Sequence, residues 1–302
     1  MQFLEQAIAR DPQYAAPYAS LAICYAQRAL VELLPPVEAF SRAEEYARRA
    51  LSLDERQTEA YIAHGLVESW FRWNWEAARR AYERALELSP GDTTAHACYG
   101  VLLDTLSDHA GSMRERRLAF ELNPVDPVAG VNVAYGYLHE CAYAEAVQRF
   151  RATLDVEPAT SVAWYGLGMA LIGLGDFNAA CATFQEGIDA GDESSTAQGF
   201  LGYALALAER RPEAQAVLNR LLDVARERHV SAYHVALVYL GLGLDEEMFR
   251  WLEKAFVQRS PWMPWLGVHP TFRAYASDPR LLALLDRMSL RPGAGLTAVL
   301  GR

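Results

Sequence analysis

Trp164-Tyr165-Gly166-Leu167-Gly168-Met169-Ala170-Leu171, continued by Gly175-Asp176 and then by Ala180, Phe184 and Ile188, is the stretch on which the fold turns. Trp164, Leu167, Gly168 and Leu171 stand at i, i+3, i+4 and i+7, the spacing of one helix face. Gly175-Asp176 interrupts that helix, and a second one presents Ala180, Phe184 and Ile188 on a single side. Gly168 and Ala180 are small where the two helices meet, so their backbones can cross closely. The unit is a helical hairpin.

Working outward, the same unit recurs. Pro90, Pro124 and Pro158 stand 34 residues apart, as do Gly100, Ala134, Gly168 and Gly202, and as do Ala95, Ala129, Ala163 and Ala197. Each proline ends a second helix, because it has no N–H to donate and its ring clashes with the preceding turn. A period of this length, with two helices per unit, marks a stacked repeat array. Full units begin near Thr58, Thr93, Pro127, Ser161 and Ser195, with one extra residue around Trp73-Asn74-Trp75 in the first. An earlier unit spans Ala15 to Asp54, lengthened by Leu33-Leu34-Pro35-Pro36, and a last one runs from about Val230 to Gln258.

Ala95-His96-x2-Tyr99-Gly100, Trp164-x2-Leu167-Gly168-x2-Leu171, Ala78-x3-Tyr82 with Pro90, and Ala146-x3-Phe150 with Pro158 resemble the tetratricopeptide repeat signature. The resemblance covers the chain from about Leu4 to Gln258. It implies an all-α fold, a right-handed superhelix (an α-solenoid of helix-turn-helix repeats) whose first helices line a concave side. Three further stretches are similar to the C-terminal repeat region of multidomain bacterial regulators: Trp70 to Trp75, Ser231 to Leu237, and Asp278-Pro279-Arg280-Leu281-Leu282. There, such an array follows a winged-helix, nucleotide cyclase or Ser/Thr kinase domain.

The expected organisation is a repeat array over 1–259, opening on half a repeat at 4–12 and followed by about seven repeats. A Pro/Trp-rich segment and a capping helix occupy 260–290, and a flexible tail 291–302. Pro261-Trp262-Met263-Pro264-Trp265 cannot be helical throughout and is expected to fold onto the helix of Trp251 and Phe256. Asp278 and Pro279 read as N-cap and first helical position of the capping helix Arg280 to Met288. The half repeat leaves Leu4, Ala7 and Ile8 without a partner helix, which makes the open repeat ends the expected route to a homo-oligomer.

The chain has 302 residues, a net charge of -10 and 52% hydrophobic residues. That composition is too apolar for disorder, and its sign argues against nucleic acid as a partner, since phosphate binding runs on Lys and Arg. Arg48-Arg49, Arg79-Arg80 and Arg114 to Arg117 alternate with glutamates and read as solvated helix faces. Cys24, Cys98, Cys141 and Cys181 are scattered, which suits a reducing, cytoplasmic setting. The eighteen-residue uncharged run Pro158 to Gly175 fits the repeat and reads as a buried helix, so no membrane partner is expected.

No chemistry-bearing constellation emerges. Gly166-Leu167-Gly168 and Gly173-Leu174-Gly175 follow helix, not strand, and so lack the context of a phosphate loop. His96-Ala97-Cys98 and His139-Glu140-Cys141 place their soft ligands two apart, which diverge on a helix, so no metal site is expected. Ser161, Ser194 and Ser195 sit where hydroxyls cap helices. The expectation is a non-enzymatic interaction or sensing scaffold without cofactor, taking a protein or peptide of apolar or amphipathic character. The alternative is a self-association module that sets the oligomeric state of an attached effector. The concave face implied by the resemblance carries Trp70, Asn132, Tyr135, His139, Tyr165, Met169, Phe200, Tyr203, Tyr233 and His234 as partner-binding residues. It offers no Lys or Arg of its own, and its tyrosine hydroxyls are expected to meet the partner.

Overall fold

The computed structural model describes residues 1–31, 33–192 and 194–293, and among them no strand is found. Helix α1 (Gln2–Arg10) stands alone and is followed by seven hairpins: α2 (Ala15–Leu30) with α3 (Pro36–Leu53), α4 (Thr58–Leu66) with α5 (Trp75–Leu88), and α6 (Thr93–Thr105) with α7 (His109–Leu122). Then come α8 (Pro127–His139) with α9 (Tyr143–Val156), α10 (Ser161–Gly173) with α11 (Phe177–Asp189), α12 (Ser195–Leu207) with α13 (Arg211–Val224), and α14 (Ala232–Leu242) with α15 (Asp245–Val257). Two 3₁₀ turns, Met263–Gly267 and Pro270–Tyr275, lead to α16 (Pro279–Arg287). The part of the expected tail beyond Gly293 lies outside the described residues.

The starts of these helices are written locally. The side chains of Asn74, Asp92, Asp108, Asp126, Asp176, Ser194 and Asp278 each accept a backbone N–H of the first helical turn. Each such cap is worth about 1 kcal/mol. Within a hairpin the second helix drops a large side chain onto a small residue of the first. The Phe184 ring fills the space where a Cβ on Gly168 would stand, so only glycine allows α10 and α11 this approach. Tyr82, Arg116, Phe150, Phe184 and Leu218 hold equivalent positions one period apart, and all are buried.

The extra residue of the Thr58 unit is absorbed by a π-helical turn, Val67–Arg72, which continues α4. That turn ends on Trp73 in the left-handed region, φ 55°, an uncommon and strained state for an aromatic residue. Trp73 is nonetheless buried. Its ring lies 4.8 Å from that of Phe256, and the Arg259 guanidinium sits 4.2 Å from its centre. Nearby the Trp75 indole donates to the Met288 carbonyl at 2.7 Å. The second hairpin therefore touches the end of the array, and the solenoid closes on itself.

The Pro-Trp segment folds back on the final hairpin, where Trp262 meets Tyr233 and His234 of α14. Trp262 does not lie on the helix of Trp251 and Phe256; it turns into the inner face formed by the first helices of the hairpins. The inner face offers the Trp262 indole four ring partners, Tyr165, Phe200, Tyr233 and His234. Asp278 caps α16 with Pro279 at its first position, and α16 buries Leu281, Leu284 and Leu285. At the other end α1 has no fully buried residue, and Phe3 is 84% exposed. No helix among the described residues is long and apolar enough to cross a membrane.

Candidate docking face

The inner face is built by α2, α4, α6, α8, α10, α12 and α14, and it has two unlike halves. Over α10 to α14 it is covered by the chain's own residues 261–272. Trp262 stands edge-on to Tyr165, Phe200 and His234, with centroids 6.2, 5.8 and 4.8 Å away, and stacks with Tyr233 at 6.3 Å. Phe272 meets Tyr233 at 6.0 Å. Trp265 stacks on Tyr135 at 6.3 Å and meets Trp262 edge-on at 4.5 Å. Aromatic pairs at such distances contribute about 0.5–1.5 kcal/mol each beyond the area they bury.

Over α2 to α8 the face is open. A cavity of ≈ 400 Å³ is lined by Ile23, Leu66, Trp70, Val101, Val131 and Tyr135, with Trp265 closing its far wall. Its lining is mostly apolar, and its volume falls in the range of ligand pockets, about 300–1,000 Å³. Asn132 edges it, the side-chain amide donating to the Val128 carbonyl at 2.9 Å.

Beneath this cavity lies a buried charge cluster. Asp104 on α6 accepts from Arg116 of α7 at 3.1 Å, from His109 at 2.7 Å, and from His139 of α8. Arg116 also donates to Ser112 Oγ at 2.8 Å and to the Asn132 carbonyl. Burial alone would raise the Asp104 carboxyl, but His139, His109 and Arg116 outweigh it and hold it far below the usual range. The bond to Asp104 lifts His109 against the opposing effect of burial, while burial lowers Arg116. His269, from the folded-back segment, stands 5.8 Å from His139. Burial pushes it down to about 3, with His139 adding to the shift and Asp104 opposing it.

The structure thus divides the sequence-predicted residues. Trp70, Asn132, Tyr135 and His139 line the open cavity. Tyr165, Phe200, Tyr233 and His234 pack on Trp262, while Met169 and Tyr203 are buried. The hydroxyls of Tyr135, Tyr165 and Tyr203 are spent internally, contrary to expectation. Tyr135 donates to the Val162 carbonyl at 2.9 Å, Tyr165 bonds Asp192 and Ser194, and Tyr203 bonds Thr271. Burial raises the Tyr135, Tyr203 and Tyr233 hydroxyls well above their usual range.

Arg116 is a second correction. It is 1% exposed and reaches the cavity, where the sequence reads as a solvated basic face without inward arginine. The missed signal is the period itself. Arg116 lies one repeat after Tyr82 and one before Phe150, so it occupies a core position, opposite Gly100. The other histidine–cysteine pair finds ordinary partners: His96 bonds Glu115 at 2.8 Å and the Pro90 carbonyl at 2.9 Å.

A family model described as the tetratricopeptide repeat matches residues 142–195 and 165–230, across α9 to α13. The hairpins on either side share that geometry. Residues 142–230 are built of tetratricopeptide repeats. Solved structures of similar fold include a chain of the APC/C hetero-tetramer Cut9–Hcn1, at TM-score 0.60 and 17% identity over 79% of this array and 45% of that chain. The type IV pilus biogenesis factor PilW matches at TM-score 0.54 and 15% identity, covering 72% of this chain and 97% of its own. PilF of Pseudomonas aeruginosa matches at TM-score 0.51 and 17% identity, covering 73% and 95%. At such identities the likeness is one of fold. No curated protein sequence matches the chain. A tetratricopeptide array is in general a protein–protein interaction scaffold, and this one has the corresponding inner face.

Proposed function

We propose that the protein is a non-enzymatic scaffold that docks an apolar or amphipathic protein segment in the open half of its inner face. The observation that carries this is the cavity between α2 and α8, where Trp70, Val101 and Tyr135 leave apolar surface uncovered beside the closed half. Arg116 does not turn the cavity into an anion site, because Asp104 and two further acceptors already engage it. Binding rests on removing apolar area from water, so it should persist at high salt. The finer setting we infer is cytoplasmic, as the regulatory part of a bacterial signalling or transcription protein.

The test is capture of partners from a host lysate by the parent protein and by Trp70→Ala, each at low and high salt. Loss of about 2 kcal/mol in affinity is expected for a central aromatic anchor. Partners that tolerate Trp70→Ala yet vanish at high salt would place docking on the charged outer helices and end this reading. A second reading, self-association through the N-terminal end, is favoured by one feature: α1 leaves Phe3 exposed and buries none of its residues fully.

A further inference from the structure

The closed half of the inner face is built as a docking slot with an occupant already in it. Tyr165, Phe200, Tyr233 and His234 come from three different hairpins and converge on one side chain, Trp262, which is 4% exposed. Trp265 follows three positions later on Tyr135, and Pro261 and Pro264 precede the two indoles. The slot holds a short turned peptide, Met263–Gly267 being a 3₁₀ turn, and that peptide is part of the chain.

Two features of the occupant are imperfect. The buried Trp262 indole N–H has no acceptor, although buried donors are nearly always paired. Trp73, which meets the same C-terminal region at Phe256 and Arg259, also has an unpartnered buried indole N–H and carries a left-handed backbone. Both places where the end of the chain presses its aromatic contacts on the array thus retain a cost that ordinary core packing removes. Backbone strain of the Trp73 kind clusters at ligand clamps and switch segments.

We propose that residues 261–265 are a tethered occupant of this slot, displaced in trans by a partner segment of the same chemistry: a tightly turned stretch with two aromatic side chains three positions apart, each preceded by proline. The proposal rests on the inner face being the docking face. A tethered occupant acts at an effective concentration of roughly millimolar, so it masks the slot from weak ligands and yields to strong ones. The apparent affinity of an outside segment scales with the fraction of molecules whose slot is open. Weakening the tethered tryptophan therefore strengthens binding in trans.

The experiment uses the full chain and a labelled synthetic peptide of its own residues 259–273, followed by fluorescence anisotropy. Trp262→Ala is expected to bind the peptide saturably and at least tenfold more tightly than the parent, and adding Phe200→Ala to remove that gain. A Trp262→Ala chain that melts cooperatively yet binds the peptide no better than the parent overturns the proposal. Hydrogen exchange on the parent decides the matter if the variant does not fold. Amides of 261–273 should exchange at least tenfold faster than those of α12 and α14, and equal rates mean that the segment leaves only on global unfolding, which overturns it. Concentration-dependent dimers of the parent that the peptide dissolves would name a second copy as occupant, against a separate partner. A failed peptide experiment with Trp70-dependent capture intact removes the tethered occupant alone; loss of the Trp70 dependence removes the docking-face reading beneath it.

Discussion

Asp104 is the residue on which the open half of the face depends. Its two carboxylate oxygens serve Arg116 and His109 of α7 and His139 of α8, with Arg116 and His139 out of solvent and His109 partly buried. A buried ion pair adds little over an apolar pair of equal shape, but removing one partner strands the other charge at a cost of about 3–5 kcal/mol. Asp104→Asn should therefore destabilise the chain by about that amount, as a fall in urea midpoint. An unchanged midpoint would mean that Arg116 escapes to water. His269 supplies a pH signature. Its folded pKa, about 3, lies below the ordinary histidine value, so the unfolded chain binds the extra proton first as pH falls. Its contribution is in place above the unfolded value and is lost on acidification, by about 2 kcal/mol between neutrality and pH 5. His109, raised by Asp104, works in the opposite direction, so the informative comparison is between parent and His269→Asn. The variant should show a shallower loss of melting temperature between pH 7 and 5; parallel curves would refute the assignment.

The helical hairpins were legible because each follows from local spacing. Trp164, Leu167, Gly168 and Leu171 give the face, Gly175-Asp176 gives the break, and the caps stand where the turns demand them. Arg116 was legible in principle, since the period assigns it a core position; a run of charges hid it. The place of Pro261 to Phe272 was not legible. Its prolines forbid a long helix, but nothing local tells an aromatic segment whether to cover the last hairpin or to reach back across α8 to α14. That choice depends on long-range ring contacts such as Trp262 with Tyr165, nearly a hundred positions earlier. Truncation after Gln258 should test the weight of those contacts. Removing Trp262, Phe272, Tyr275 and α16 uncovers Phe200, Tyr233 and Phe249, so the melting temperature should fall and an apolar dye should bind. A truncated chain as stable as the parent, with no dye signal, would show that the segment merely decorates the face.

The molecule as a whole has one closed side and one open end. The closed side joins Trp73 and Trp75 to Phe256 and Met288, so hairpins distant in sequence are neighbours in space. The open end is α1, with Leu4, Ala7 and Ile8 only half covered and Phe3 exposed. An array end of this kind associates when covering it recovers roughly 1.5–3 kcal/mol per apolar side chain. If the second reading holds, gel filtration of the parent shows a dimer and Leu4→Glu with Ile8→Lys shifts it to monomer. A parent that elutes as a monomer, or a dimer indifferent to the pair, would dismiss it.

The contact of Trp73 with Phe256 has a consequence for the order in which the protein is made. A ribosome adding about 5–20 residues per second needs roughly ten seconds or more to pass from one partner to the other. Throughout that interval the earlier hairpins can stack, since each needs only its neighbours. Their inner aromatic wall, however, stays bare until residues 261–272 emerge. The nascent chain is therefore most in need of chaperone shelter late in its synthesis, when most of its helices already stand.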